Sequence, residues 1–174
     1  MRLFYAIFPP RAVQEALGEA QEKVRGFKGW KLSPPPQLHI TLLFLGPQPE
    51  ERLPEFRRIG REVAATVPEF KVELAGTGYF PPTGSPRVWF VKASGVGLEP
   101  LAQRLQRALP EIKTAAFHPH LTLARKKGPA PRIGPLVLNL QFQARAVCLV
   151  ESKLERSGSQ YRVIEQFPLV SIAL

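Results

Sequence analysis

The sequence predicts an α+β fold, a single domain of 174 residues built from two similar lobes. Three observations predict it. The order histidine, apolar residue, threonine, leucine occurs twice, as His39–Leu42 and His120–Leu123, almost half a chain apart. Each half of the chain reads strand, helix, then a strand carrying that order, the footprint of an internal duplication. The strand-like runs are joined by a mixture of hairpin-length turns and helical stretches.

Taken in order, Arg2–Phe8 reads as a strand, and Pro9–Pro10 opens a helix over residues 11–27 with Val13, Leu17, Ala20 and Val24 on one face. KLSPPPQ (31–37) is a rigid approach segment that its prolines keep out of helix and central strand. LHITLLFLG (38–46) is a strand that stops at Gly46–Pro47, a second helix runs from Pro49 to about Ala65, and FKVELAGTGYF (70–80) is a strand. PPTGSPR (81–87) is the clearest breaker and lies near the midpoint. The order then returns: a strand at RVWFVKA, a helix over 95–110 with Leu98, Leu101, Leu105 and Leu109 in register, and a strand at HPHLTLAR. LVLNLQFQARAVCLVESKL and YRVIEQFPLV supply the remaining strands.

Side chains alternate along a strand. In the first copy Leu38, Ile40, Leu42 and Phe44 therefore take one face, with His39 and Thr41 on the other. In the second, Leu121 and Leu123 oppose His120, Thr122 and Ala124. An approximate two-fold would bring two imidazoles and two hydroxyls to one cleft. That set suits acid–base chemistry on a phosphate diester. A neutral imidazole takes a proton from the attacking group, and a protonated one supplies the leaving oxygen. Threonine hydroxyls hydrogen-bond the non-bridging oxygens, and no metal or other cofactor is required.

Bulk composition narrows the partners. Lys and Arg outnumber Asp and Glu by 24 to 14, a formal charge of +10, so an anionic partner is expected: nucleic acid, a phosphate ester or an anionic surface. No apolar stretch approaches the ~18 residues of a membrane span. The opening MRLFYAIFPP is too short for a secretory core, which points to the cytoplasm. Cys148 is the single cysteine, excluding an internal disulfide or a cysteine metal cluster; it reads as a small buried hydrophobe. No heptad or repeated apolar surface argues for assembly, so a monomer without protein partners is expected.

LHITLLFLG, YFPPTGSPRVWFV and FHPHLTLAR resemble the two-histidine phosphoesterases, specifically the bacterial and archaeal RNA 2′,3′-cyclic phosphodiesterases, also called 2′-5′ RNA ligases. The likeness runs from the opening strand to SKLERSGSQY. It implies a pseudo-symmetric bilobal fold, with antiparallel sheets lining a central cleft and helices outside. It further implies that His39 is the general acid at the departing 3′ oxygen and His120 the base that activates water. Thr41, Thr122 and Arg125 would hold the phosphate, and the product would be a 2′-phosphate.

On the substrate side, ARKKGPAPRIGP (124–135) sets Lys126, Lys127 and Arg132 in a basic loop suited to an RNA backbone. Trp30, Phe80 and Tyr161 are candidates for base stacking. Two other readings compete: a zinc hydrolase using His39, His118 and His120, which leaves the repeated threonine unexplained, and an RNA-binding or 2′-5′ joining protein.

Overall fold

The computed structural model describes residues 1–134 and 136–172, so Pro135, at the end of the basic loop, lies outside the described residues. The strands are β1 (Arg2–Ile7), β2 (Trp30–Leu32), β3 (Ile40–Pro47), β4 (Phe70–Phe80), β5 (Val88–Ser94), β6 (His120–Lys126), β7 (Asn139–Ala144), β8 (Ala146–Glu155) and β9 (Gly158–Pro168). The helices are α1 (Arg11–Gln21), α2 (Leu53–Ala64) and α3 (Leu98–Ala108).

The strands join into one curled antiparallel sheet in the order β7-β4-β5-β6-β3-β1-β8-β9, with β2 attached to β6. The order divides evenly at the β6–β3 contact, four strands on each side. That contact is a single paired rung, Ile40 opposite Leu121, and both side chains are fully buried. Two four-stranded half-sheets thus meet where the two histidine motifs begin.

The half-sheets are interleaved in sequence. β1 and β3 are flanked by β8 and β9 from the end of the chain, while β4 leaves its own half to pair with β5 and β7. The breaker at 81–87 consequently closes the β4–β5 hairpin inside one half-sheet and does not separate the lobes. One apolar cluster runs beneath both, including Tyr5, Ile7 and Leu42 from one side and Trp89, Val91 and Leu123 from the other.

Helices cover the sheet as their apolar faces require. α2 packs against α3, β8 and β9, and it crosses β9 so closely that a Cβ at Gly60 would overlap the Phe167 ring. That contact explains a glycine inside a helix, where it otherwise costs roughly 0.5–1 kcal/mol relative to alanine. Cys148 is buried against Phe4, Ala6 and Val150, and burial pushes its thiol up to about 11.

Boundaries differ from the sequence expectation where short-range chemistry intervenes. The first helix ends at Gln21 and tightens into a 3-10 turn over Glu22–Val24, and the second begins with a 3-10 turn over Glu50–Arg52. Lys31 and Leu32, expected in an irregular approach, form an edge strand with Trp30 along the outer part of β6. The prolines behind them make a 3-10 turn over Pro35–Gln37, which suits residues with no N–H to donate. No described helix is long and apolar enough to cross a membrane.

Candidate active site

Both motif strands break alternation at the same step. Pairing of β1 with β3 passes from Ala6–Thr41 to Tyr5–Leu43, so Leu42 is an extra residue. Pairing of β5 with β6 passes from Phe90–Thr122 to Trp89–Ala124, so Leu123 is extra. These are β-bulges, each at the third residue after its histidine. Past a bulge the faces exchange. Leu42 and Leu43 are both buried, as are Leu123 and Ala124. Phe44 and Arg125 turn to the histidine side, where both line the same cleft. Strict alternation placed Phe44 in the core and Ala124 in the cleft; the extra residue reverses both.

The second bulge is braced by a buried amide. The Leu123 carbonyl accepts from the Ser33 N–H at 3.0 Å and from Gln21 Nε2 at 3.0 Å. Gln21 also donates to the Ser33 carbonyl at 2.6 Å and is 2% exposed. A buried polar side chain with two carbonyl partners thus fixes α1, β6 and the approach to the first motif together.

Between the bulged strands lies a cleft of about 230 Å³, lined by His39, Thr41, Phe44, His120, Thr122 and Arg125. His39 Nδ1 donates to the Gln37 carbonyl at 2.6 Å, and His120 Nδ1 donates to the His118 carbonyl at 2.6 Å. A carbonyl only accepts, so each Nδ1 carries hydrogen and each Nε2 is left to take or give a proton. His39 Nε2 shares a 3.0 Å hydrogen bond with Thr41 Oγ1. The His39 ring packs against Phe4 at 4.9 Å and Phe8 at 5.4 Å, and edge-on to Tyr161 at 5.2 Å. His120 packs against Phe80 at 4.9 Å and Phe90 at 5.3 Å.

Burial in these apolar cages pushes His39 down to about 4, against the pull of the Gln37 carbonyl, with Arg125 and His120 adding to the depression. Burial also holds His120 below the usual histidine range, the His118 carbonyl opposing and Arg125 assisting. Both imidazoles are therefore neutral at pH 7 in the protein alone. An anion between them acts in the opposite sense and raises both.

A sequence profile described as the 2′-5′ RNA ligase superfamily matches residues 8–154. The chain belongs to the 2′-5′ RNA ligase superfamily. Within it, the chain is 47% identical to an RNA 2′,3′-cyclic phosphodiesterase of Thermus thermophilus, over 97% of this chain and 90% of that protein. It is 32% identical to the enzyme of that name from Archaeoglobus fulgidus, over 96% and 99% of the two chains. Among solved structures, a Thermus thermophilus protein superposes with a TM-score of 0.94 at 46% identity, covering 99% of this chain and 100% of the other. Escherichia coli LigT complexed with 3′-AMP gives 0.82 at 25% identity, covering 97% and 98%.

In this superfamily member the remaining candidates are spread more widely than the motif residues. Tyr161 lines the cleft, with its ring edge turned onto His39. Lys127 lines an adjoining groove. Trp30 lies outside the cleft, its Nε1 donating to the Pro131 carbonyl at 2.9 Å. Phe80 stacks on Phe90 behind His120. Lys126 bonds Ser85, and Arg132 donates to the Gly84 carbonyl at 2.7 Å while lying over the Tyr79 ring. His118 is exposed and outside the cleft, and among the described residues no three His, Cys, Asp or Glu side chains are grouped to hold a metal ion. The three-histidine zinc arrangement therefore has no geometry here.

The cleft also receives residues outside the repeated motif: Arg2, Phe4, Ser33, Gln37, Phe44 and Ser152. Arg2 pairs across β1–β8 with Ser152, and Phe4 pairs with Phe44. Strand neighbours of this kind depend on pairing partners far away in sequence. Only Gln37, two residues before His39, carried a local signal.

Proposed function

We propose that the protein is an RNA 2′,3′-cyclic phosphodiesterase that opens a terminal 2′,3′-cyclic phosphate to a 2′-phosphate. The observation that carries this reading is the convergence of two Nδ1-anchored imidazoles, two threonine hydroxyls and Arg125 on one cleft. The names of the relatives support it.

In the proposed reaction His120 Nε2 takes a proton from water as the water oxygen bonds to phosphorus. The bond from phosphorus to O3′ breaks, and His39 Nε2–H gives its proton to O3′. One water is added, His120 ends protonated and His39 neutral, and exchange with solvent restores both. The anionic diester favours a proton on His39 when it binds. Its apolar cage then makes that imidazolium a strong acid, suited to an alkoxide leaving group. Thr41, Thr122 and Arg125 meet the charge that builds on the non-bridging oxygens. Phe44, 61% exposed on the cleft side, offers its ring face to the terminal base. With a ribose 5′-hydroxyl in place of the attacking water, the same ring opening joins RNA ends 2′ to 5′: the 5′ oxygen bonds to phosphorus as it loses its proton to His120, and the bond from phosphorus to O3′ breaks. Ring strain in the cyclic phosphate makes hydrolysis the downhill direction in water. A cytoplasmic setting fits an RNA substrate and a single buried cysteine.

Incubation with a short oligoribonucleotide ending in a 2′,3′-cyclic phosphate tests the reading. Conversion to a 2′-phosphate is expected. A 3′-phosphate product would overturn the assignment of the leaving oxygen, and no turnover would overturn the function.

A further inference from the structure

We propose that a basic groove running out of the cleft holds the nucleotide immediately 5′ of the cyclic end, so that the enzyme favours an RNA chain over a single cyclic nucleotide. The proposal rests on the phosphodiesterase reading above.

The groove, about 380 Å³, shares Ser33, Gln37, Arg125 and Tyr161 with the cleft, so the two are continuous. One wall is β2 with Lys31. The other is the tip of the β8–β9 hairpin, and Lys127 lies just beyond β6. Four cations line it, Lys31, Arg125, Lys127 and Arg156, against one carboxylate, Glu155.

The charge of these four cations is not neutralised within the protein's ion pairs. None of the four has a carboxylate partner among the described residues, whereas Arg52, Arg57, Arg58 and Arg61 around α2 each face a glutamate. Positive charge on α2 is thus neutralised in place, while charge along the groove stays available to a ligand. This groove leads directly out of the phosphate gap, and an RNA end carries one negative charge per nucleotide away from it.

The walls are also fixed before any ligand arrives. Lys31 Nζ donates to the Ser157 carbonyl at 2.9 Å, seating the hairpin tip on β2. Gly158 there has φ +119°, and a Cβ at that position would strike the Lys31 ammonium. The Lys127 N–H donates to the Gly29 carbonyl at 2.6 Å, which anchors the start of the basic loop. Leu154, 78% exposed on the same hairpin, supplies an apolar surface for a base beside the cationic track. A charged track with an apolar edge, held open by backbone contacts, is what a single strand needs for binding without sequence choice.

The test compares two substrates, a tetraribonucleotide ending in a 2′,3′-cyclic phosphate and a mononucleoside 2′,3′-cyclic phosphate, on the wild-type protein and on Arg156→Ala, Arg156→Glu and Lys127→Ala. The ratio of kcat/KM between the two substrates is expected to fall about tenfold in each alanine variant and further in Arg156→Glu, through KM. The slope of log(kcat/KM) against log salt for the tetramer should lose about 0.7 for each phosphate contact removed. A ratio that stays at the wild-type value in all three, while the mononucleotide is still hydrolysed, overturns the groove and leaves the activity standing. Failure of the wild-type protein on both substrates overturns the activity itself.

Discussion

The segments that carry His39 and His120 share a backbone course and differ in what surrounds their imidazoles. Both bulge at the third residue past the histidine, both tie Nδ1 to a carbonyl two residues earlier, and both sit under aromatic rings. Around His39, however, there are three rings and a bond from Nε2 to Thr41, and the residue brought up by the bulge is Phe44. Around His120 there are two rings among the described residues, its hydrogen bond runs to the His118 carbonyl and not to Thr122, and the corresponding residue is Arg125. The difference teaches how a near-symmetric frame acquires two unlike ends. Backbone geometry sets where the groups stand, and the neighbouring side chains set how readily each holds a proton.

Replacing either histidine should have the largest effect and leave the comparison intact. Initial rates on a cyclic-phosphate oligonucleotide are expected to fall at least ~100-fold in both His39→Ala and His120→Ala. One variant retaining near-normal turnover would break the pairing of roles.

The threonines discriminate more finely. Thr41→Val and Thr122→Val should each cost roughly tenfold to a hundredfold in kcat through the lost phosphate contact. In double-mutant cycles with their histidines, only the first pair should be strongly non-additive, because only Thr41 touches its imidazole. Additivity in both cycles would mean that the Thr41 bond has no part in turnover.

The residues past the bulges should then separate binding from chemistry. Phe44→Ala is expected to raise KM about tenfold with kcat little altered, as loss of one base stack does. Arg125→Ala should lower kcat as well, since the proposed reaction sets its charge against the phosphate. Equal effects on both parameters in both variants would contradict the division.

The smallest effect expected is on pH dependence. Both imidazoles lie below the usual histidine range in the free protein, so the kcat/KM bell should centre on the acidic side of 6.5. The bound diester raises both groups, so the kcat bell should stand about one pH unit higher. Coincident bells would show that substrate charge does not couple to the imidazoles. Stability follows the same sign: because the folded protein holds His39 down at about 4, its contribution is complete above about 6.5 and is lost as pH falls toward 4.

Legibility in the sequence tracked how local each determinant is. The duplicated order, the strands around it and three helices were readable because apolar period and proline placement act over a few residues. The bulges were not, because Leu42 and Leu123 look like ordinary members of an alternating run; the extra residue appears only against the register of β1 and β5. Phe44 was hidden for that reason, and Arg125 was drawn into the site by resemblance rather than by strand phase. β2 leaves no signal in the sequence because a three-residue edge strand owes its existence to β6. Trp30, Phe80 and Arg132 read from the sequence as free aromatic and basic groups, whereas in the fold each has a partner, the Pro131 carbonyl, the Phe90 ring and the Gly84 carbonyl.

The interleaving of the half-sheets has a consequence for biosynthesis. β1 leaves the ribosome long before its sheet neighbour β8. Ser152 and Tyr161, which line one side of the cleft, are made later still than His120. A nascent chain long enough to display both histidines has therefore still to acquire that side wall, and competence toward RNA waits on synthesis of the β8–β9 hairpin.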